Sequence, residues 1–290
     1  MCDERTFEED QTFLKNNHLS RRSFGAVTTA AALAACATPS EALSVSELDV
    51  TIRTPDGECD AYFAHPTSGA HAAVLVWPDA MGLRPAFRTM GKRLAESGYA
   101  VLTVNQFYRD VRAPFVESGA SAFSDPDART RIMGMMRGLT PEKVVSDAGA
   151  YLAFLDSQAV VDKGRKIGTT GYCMGGATAF RTAATSPGRV GAVASFHGGG
   201  LVNDQPASPH RLIAQTGASY LIAIAQNDDA NDPNAKTVLR QTFDETRRTA
   251  EIEVYPAQHG WCPPDTQVYD PEQAERAWGR LLALFETALA

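Results

Sequence analysis

The sequence has no basic cluster. Lysine and arginine total 27 against 34 aspartate and glutamate, a net charge of −7 over 290 residues, and the basic residues come no closer than adjacent pairs. A nucleic-acid partner would need a basic face, so that class is set aside. Long apolar runs are also missing. The Ala-rich run Gly25–Ala35 is far too short to span a bilayer as a helix. No phosphate-cradling glycine loop or dinucleotide fingerprint follows any strand-like segment, which argues against nucleotide chemistry. Repeats and low-complexity linkers are absent too. Cysteine is scarce: five residues, at 2, 36, 59, 173 and 262. Only the last three fall in the regular part of the chain, an odd count that does not suit a disulfide framework.

The first 19 residues are polar and charged and are read as lying outside the fold. They lead into Ser20-Arg21-Arg22-Ser23-Phe24 and then the uncharged run Gly25–Ala35. Basic residues, a short apolar stretch and small residues after it are the layout of an export signal, and the paired arginines resemble a twin-arginine signal. The expectation is an export signal over 1–40 and a periplasmic protein. Ala35-Cys36-Ala37 reads as a cleavage site. Leu33-Ala34-Ala35-Cys36 reads equally as a lipobox that would anchor the chain through Cys36, and both routes stay open.

From about residue 45 to 290 a single domain is expected. Leu48–Arg53 and Cys59–Ala64 alternate like the arms of a hairpin around Pro55-Asp56-Gly57. Ala72–Trp77 is a continuous apolar run, as in a strand buried on both faces. Further strand patterns at Tyr99–Val104, Lys166–Thr170, Val190–Phe196, Tyr220–Ala225 and Ala250–Tyr255 alternate with helical ones at Ala86–Ser97, Pro141–Leu155, Ala177–Thr185, Pro233–Arg248 and Pro271–Ala288. Residues 106–140 read as a long irregular excursion with a short helix. This alternation predicts an α/β fold, a mostly parallel sheet covered by helices on both faces, with the hairpin supplying antiparallel edge strands.

One segment of that pattern carries chemistry. Gly171-Tyr172-Cys173-Met174-Gly175-Gly176 lies where a strand turns into a helix. A nucleophile between glycines at such a turn is the nucleophile elbow of the α/β-hydrolase fold. The turn exposes the side chain at the carboxyl end of the sheet, beside a helix N-terminus that favours a thiolate and offers N–H groups to an oxyanion. A buried, inert cysteine in a tight turn is the competing reading. The rest of the chain weighs against it. The strand at 220–225 is followed by Asp228-Asp229 and the strand at 250–255 by His259, so an acid and then a histidine follow the nucleophile at successive strand ends. His259 is the expected base and Asp229 the expected acid, because Asp-x-x-x-Pro from Asp229 to Pro233 is the usual run after the acid; Asp228 is then a turn or cap residue. His197-Gly198-Gly199-Gly200 stands after the nucleophile, the wrong side for an oxyanion motif, but His197 is a candidate for lining the pocket. Cys262, three residues beyond His259, has no second pair of ligands to make a metal site.

These motifs resemble the dienelactone hydrolase family of α/β-hydrolases, over roughly residues 45–290. The resemblance rests on GYCMGG at 171–176, NDDANDP at 227–233, YPAQHGW at 255–261 and WPDAMGLRP at 77–85. It implies cofactor-free hydrolysis of lactones or other small esters by a triad of Cys173, His259 and Asp229, through an acyl-thioester. It further implies oxyanion N–H groups from Ala80 and Met174, with Asp79 at the family's glutamate that helps activate the cysteine. Tyr108 corresponds to a pocket tyrosine. The family's carboxylate-binding arginine four residues after the histidine is Pro263 here, which leaves Arg129, Arg131 or Arg84 to serve, with Arg131 taken as the substrate contact. The expected partner is a small ester or lactone, with no metal and a monomeric chain. A non-catalytic binding protein on this fold, and a thioesterase or peptidase, are the alternatives.

Overall fold

The computed structural model describes residues 4–16, 42–122 and 125–290. The export-signal segment and the Cys36 lipobox therefore lie outside the described residues. The chain forms one eight-stranded sheet: β1 (Val45–Thr54), β2 (Gly57–Pro66), β3 (Ala73–Trp77), β4 (Ala100–Val104), β5 (Ile167–Tyr172), β6 (Val190–Phe196), β7 (Ser219–Ala225) and β8 (Ala250–Tyr255). The spatial order is β1-β2-β4-β3-β5-β6-β7-β8. The hairpin β1–β2 is antiparallel, with Leu48 opposite Phe63, and β2 runs antiparallel to β4. All pairings from β4 to β8 are parallel.

The helices are α1 (Glu4–Asn16), α2 (Pro85–Glu96), α3 (Gly119–Ala122), α4 (Pro126–Gly138), α5 (Pro141–Ser157), α6 (Met174–Thr185), α7 (Pro209–Leu212), α8 (Gln226–Asn231), α9 (Ala235–Thr246) and α10 (Pro271–Ala288). Their starts follow local chemistry. The Thr140 side chain accepts from the Lys143 N–H at the start of α5, and Asp270 accepts from the Gln273 N–H at the start of α10, each with proline at the first helical position. The period-2 pleat sorts β3 into two cores. Ala73, Leu75 and Trp77 pack with Val144, Tyr151 and Leu155 of α5 and Phe180 of α6. Val74 and Val76 pack with Phe87 and Leu94 of α2 and Leu281 and Phe285 of α10. The sheet is thus buried on both faces, which is why its central strands read as unbroken apolar runs.

The N-terminal residues differ from expectation. Residues 4–16 form α1, although their composition is that of a polar tail. Lys15 lies in its last turn, which suits the helix dipole.

The turn from β5 into α6 is the tightest place in the fold. Cys173 has φ 54° and ψ −121°, a left-handed backbone that a non-glycine residue seldom adopts. A Cβ on Gly171 would lie 1.9 Å from the Gly175 carbonyl oxygen, one on Gly175 2.4 Å from the Trp77 oxygen, and one on Gly176 2.3 Å from Ser195 Oγ. These glycines let α6 press against β3 and β6 while the elbow stays sharp. Gly175→Ala is expected to cost roughly 3 kcal/mol or more, because its Cβ meets backbone that cannot move aside; urea unfolding followed by circular dichroism measures it.

Candidate active site

The described site residues gather at the carboxyl edge of the sheet, where ligands of open α/β folds bind. Asp79 and Ala80 follow β3, Gln106 follows β4, Cys173 ends β5, His197 follows β6, Asp228 lies in α8 just past β7, and His259 follows β8. Cys173, His259, His197, Asp79 and Ala80 line one pocket with an open volume of about 90 Å³. Met174, the other expected oxyanion donor, is the first residue of α6, at the foot of the elbow.

The acid that meets the histidine is Asp228. Its Oδ2 lies 2.7 Å from His259 Nδ1. Asp229, the acid expected from the Asp-x-x-x-Pro run, instead pairs with Lys236 at 2.6 Å. The physical reason is α8. The chain leaves β7 directly into a helix, and consecutive helical residues point about 100° apart, so one of the two aspartates faces the His259 loop and the other faces α9. Asn227 completes the arrangement, its side-chain oxygen accepting the His259 backbone N–H at 2.8 Å.

Asp79 is committed to a neighbour other than the cysteine. Its two oxygens accept from Arg84 Nη1 and Nη2 at 2.7 and 3.0 Å, and Oδ1 also accepts the Met81 N–H. Arg84 is fully buried and donates again to both oxygens of Asp265, at 2.7 and 2.9 Å. Burial alone would lower the Arg84 pKa, but the two carboxylates outweigh it and raise it, so the guanidinium stays charged. Burial works against ionisation of Asp265 as well, and hydrogen bonding and charge from Arg84 override it, holding the carboxyl below its ordinary range. Asp79, expected to help activate the cysteine, thus lines the pocket with Cys173 while ion-paired to Arg84. The turn is further held by Gln106, whose side-chain amide donates to the Asp79 carbonyl at 2.7 Å.

Two expected substrate contacts lie elsewhere. The Tyr108 hydroxyl donates to Asp147 at 2.9 Å and shares a 2.6 Å hydrogen bond with Thr54, which ties the β1–β2 turn to α5. Arg131 is exposed on α4. His197 does reach the pocket. It is 1% exposed, has a left-handed φ of 41°, and packs edge-on against His259 and Trp261 with ring centroids 4.9 and 5.1 Å apart. Burial first, and His259 second, push its pKa well below the ordinary histidine range, so it is neutral.

Cys173 is disulfide-bonded, and neither Cys59 nor Cys262 is its partner, since both are free and buried. Burial pushes the Cys262 thiol far above its ordinary range and the Cys59 thiol up to about 12, so both are inert. Asp265, Asn227 and Gln106 were not singled out by sequence. Only Asn227 carried a signal, its place in the strand-end run before Asp228.

The fold order and the elbow define an α/β-hydrolase. The dienelactone hydrolase family model matches residues 59–289, and the chain belongs to the Dienelactone hydrolase family. It is accordingly a hydrolase of the lactone- and ester-cleaving class. It is 26% identical over 245 residues, 83% of this chain and 96% of the relative, to a Synechocystis sp. protein assigned provisionally as a carboxymethylenebutenolidase. It is 25% identical over 230 residues to a Pseudomonas sp. carboxymethylenebutenolidase, covering 79% of this chain and 90% of that one. The fold matches a crystal structure from Klebsiella pneumoniae, provisionally titled a dienelactone hydrolase, with a TM-score of 0.72 at 22% identity over 84% of this chain and 99% of the other.

Asp228→Asn is expected to lower kcat by about 10²–10⁴-fold, by analogy with loss of the acid in a serine triad. Asp229→Asn, which breaks only the Lys236 pair, is expected to stay within about threefold of the parent. Steady-state hydrolysis of an aryl acetate by the two reduced variants distinguishes them, and the reverse ranking would return the acid's role to Asp229.

Proposed function

We propose that the chain hydrolyses small, uncharged carboxylic esters or lactones through Cys173, His259 and Asp228. The observation that carries this reading is the 2.7 Å Asp228–His259 pair in the pocket that also holds Cys173. The working form is the reduced thiol. His259 Nε2 takes the Cys173 proton, and the sulfur attacks the ester carbonyl carbon. The carbonyl oxygen becomes an oxyanion facing the backbone N–H groups of Ala80 and Met174. Collapse of this intermediate breaks the ester bond, and His259 returns the proton to the leaving alkoxide. Water, deprotonated by His259, then attacks the thioester. The carboxylic acid leaves and Cys173 regains its proton. Asp228 orients the imidazole and stabilises its charged form. His197, neutral and buried, lines the substrate space.

The charge of the pocket supports an uncharged substrate. No lysine or arginine is among the described residues lining it; its charged side chains are Asp10 and Asp79. The nearby guanidinium of Arg84 already holds two carboxylates. A substrate carboxylate would enter without a cationic partner, at a desolvation cost.

The Arg21-Arg22 stretch supports export, with residues 1–40 as the signal, a single catalytic domain over 45–290, and a monomeric periplasmic product; lipidation at Cys36 is the variant route. The reading predicts turnover of 4-nitrophenyl acetate by the reduced chain and loss of at least about 10³-fold in Cys173→Ala. The mono-4-nitrophenyl ester of succinic acid, which carries a free carboxylate, is expected to show a kcat/KM about tenfold lower or worse. Equal turnover by parent and Cys173→Ala would sink the mechanism, and a preference for the anionic ester would sink the substrate class.

A further inference from the structure

We propose that α1 is an autoinhibitory lid, a segment of the chain that docks on the mouth of the catalytic pocket and places the Asp10 carboxyl beside His259. The proposal rests on the reading of this pocket as catalytic and goes beyond it.

The contacts come from one side of α1. Thr6, Asp10 and Gln11 line the pocket together with Cys173 and His259. Thr6 is 7% exposed and also borders a second cavity of about 480 Å³, walled by residues 198–203 and α8. With Thr6 in the walls of both, α1 acts as the partition between two spaces at the edge of the sheet. The pocket on the cysteine side keeps about 90 Å³, below the roughly 300–1,000 Å³ of ordinary small-molecule sites.

Specific tethers hold the helix there. The Glu9 carboxylate accepts from Asn231 Nδ2 at 2.9 and 3.0 Å and from Asn227 Nδ2 at 3.2 Å. Gln11 Nε2 donates to Gln267 Oε1 at 3.1 Å. Asp10 Oδ1 is buried without a hydrogen-bond partner among the described residues. Burial pushes the Asp10 pKa up to about 7; His259 opposes the rise, while Asp228 and Glu9 add to it. A carboxyl group seated against the histidine is also what ester cleavage leaves behind, so α1 fills the site with the functional group of a product. Because α1 precedes the Arg21-Arg22 stretch, cleavage after that stretch would carry the lid away with the signal. The unprocessed chain is then the closed form and the processed chain the open one.

The test uses the full-length chain reduced with a phosphine, beside two full-length variants confined to α1. Thr6→Arg places a side chain between the cavities that the docked helix has no room for, and Glu9→Ala removes the tether to Asn227 and Asn231. Neither alters the hydrolase domain. The readout is the rate of Cys173 carbamidomethylation by iodoacetamide, followed by peptide mass spectrometry, with buried Cys59 and Cys262 as internal references. Hydrolysis of 4-nitrophenyl acetate is measured in parallel. Thr6→Arg is expected to raise the Cys173 labelling rate about tenfold or more and Glu9→Ala by a smaller factor in the same direction, with kcat/KM rising alongside. Labelling rates within about twofold of each other in all three chains would overturn the lid, as would a variant that labels faster but hydrolyses more slowly, since α1 would then be a wall of the substrate site. Faster labelling with no hydrolysis by any chain would keep the lid and remove the esterase reading. Equal labelling with normal hydrolysis would do the reverse.

Discussion

The turn at Cys173 is the constraint from which the rest of the site follows. A strand in the middle of a parallel sheet ends where a helix must begin, and the helix must lie close enough to cover the sheet. Three backbone approaches set that distance: Gly171 over the Gly175 carbonyl, Gly175 over the Trp77 carbonyl and Gly176 over Ser195. Each excludes a Cβ. The residue between them has no side-chain obstacle left to avoid, but its own backbone is forced to φ 54°. In return its sulfur stands at the N-terminus of α6, and the chain following β3 is brought alongside so that Ala80 faces the same pocket. Nucleophile, helix dipole and oxyanion donors are therefore one geometric solution rather than three.

That geometry needs its electrostatics kept in check. In the proposed mechanism a thiolate and an oxyanion both form in the pocket that Asp79 lines. An uncompensated buried carboxylate there would disfavour each of them. Arg84 removes the difficulty by holding Asp79 with two hydrogen bonds and anchoring itself to Asp265. The arginine is fully enclosed between the two carboxylates, so Asp79 has a cationic partner while no cation is offered to the substrate. On the proposed mechanism the same ion pair favours the thiolate and an uncharged ester.

The order of strands and helices and the elbow itself were legible because they rest on local rules: a period-2 or continuous apolar run for a strand, a capped amphipathic run for a helix, glycines where no Cβ fits. The positions of the nucleophile and of His259 at strand ends followed directly. The choice between Asp228 and Asp229 did not, because it depends on whether the chain leaves β7 as a loop or as a helix, and the short polar run Gln226–Asn231 has no apolar face to announce one. Arg84 was a candidate for a substrate carboxylate, and its burial between Asp79 and an Asp265 that lies 181 residues away is invisible to any local pattern. Tyr108 was placed by analogy of position and Arg131 was chosen among arginines because Pro263 stands at the family's arginine position; segments between fixed strands are where such choices are least constrained. For α1, Glu, Asp and Gln outnumber the apolar Phe7, Phe13 and Leu14, too few to announce a helix packed on the domain.

Asn227 shows how such a helix can sit on a working site without disturbing it. Its side-chain oxygen accepts the His259 backbone N–H, while its amide nitrogen donates to Glu9 of α1. The two contacts use different atoms of one amide. When α1 leaves, water replaces Glu9 at the nitrogen and the bond to the His259 loop is unaffected. Asp228 likewise holds His259 through its own 2.7 Å contact between Oδ2 and Nδ1. Opening the pocket therefore requires no rearrangement of the acid, the base or the elbow. It requires that Cys173 be reduced and that the hydrogen bonds of Glu9 and Gln11 and the burial of Thr6 be given up. Once Cys173 is reduced, a cover of that kind can be discarded by a single cut in the chain, with the Asp228–His259 pair left in place.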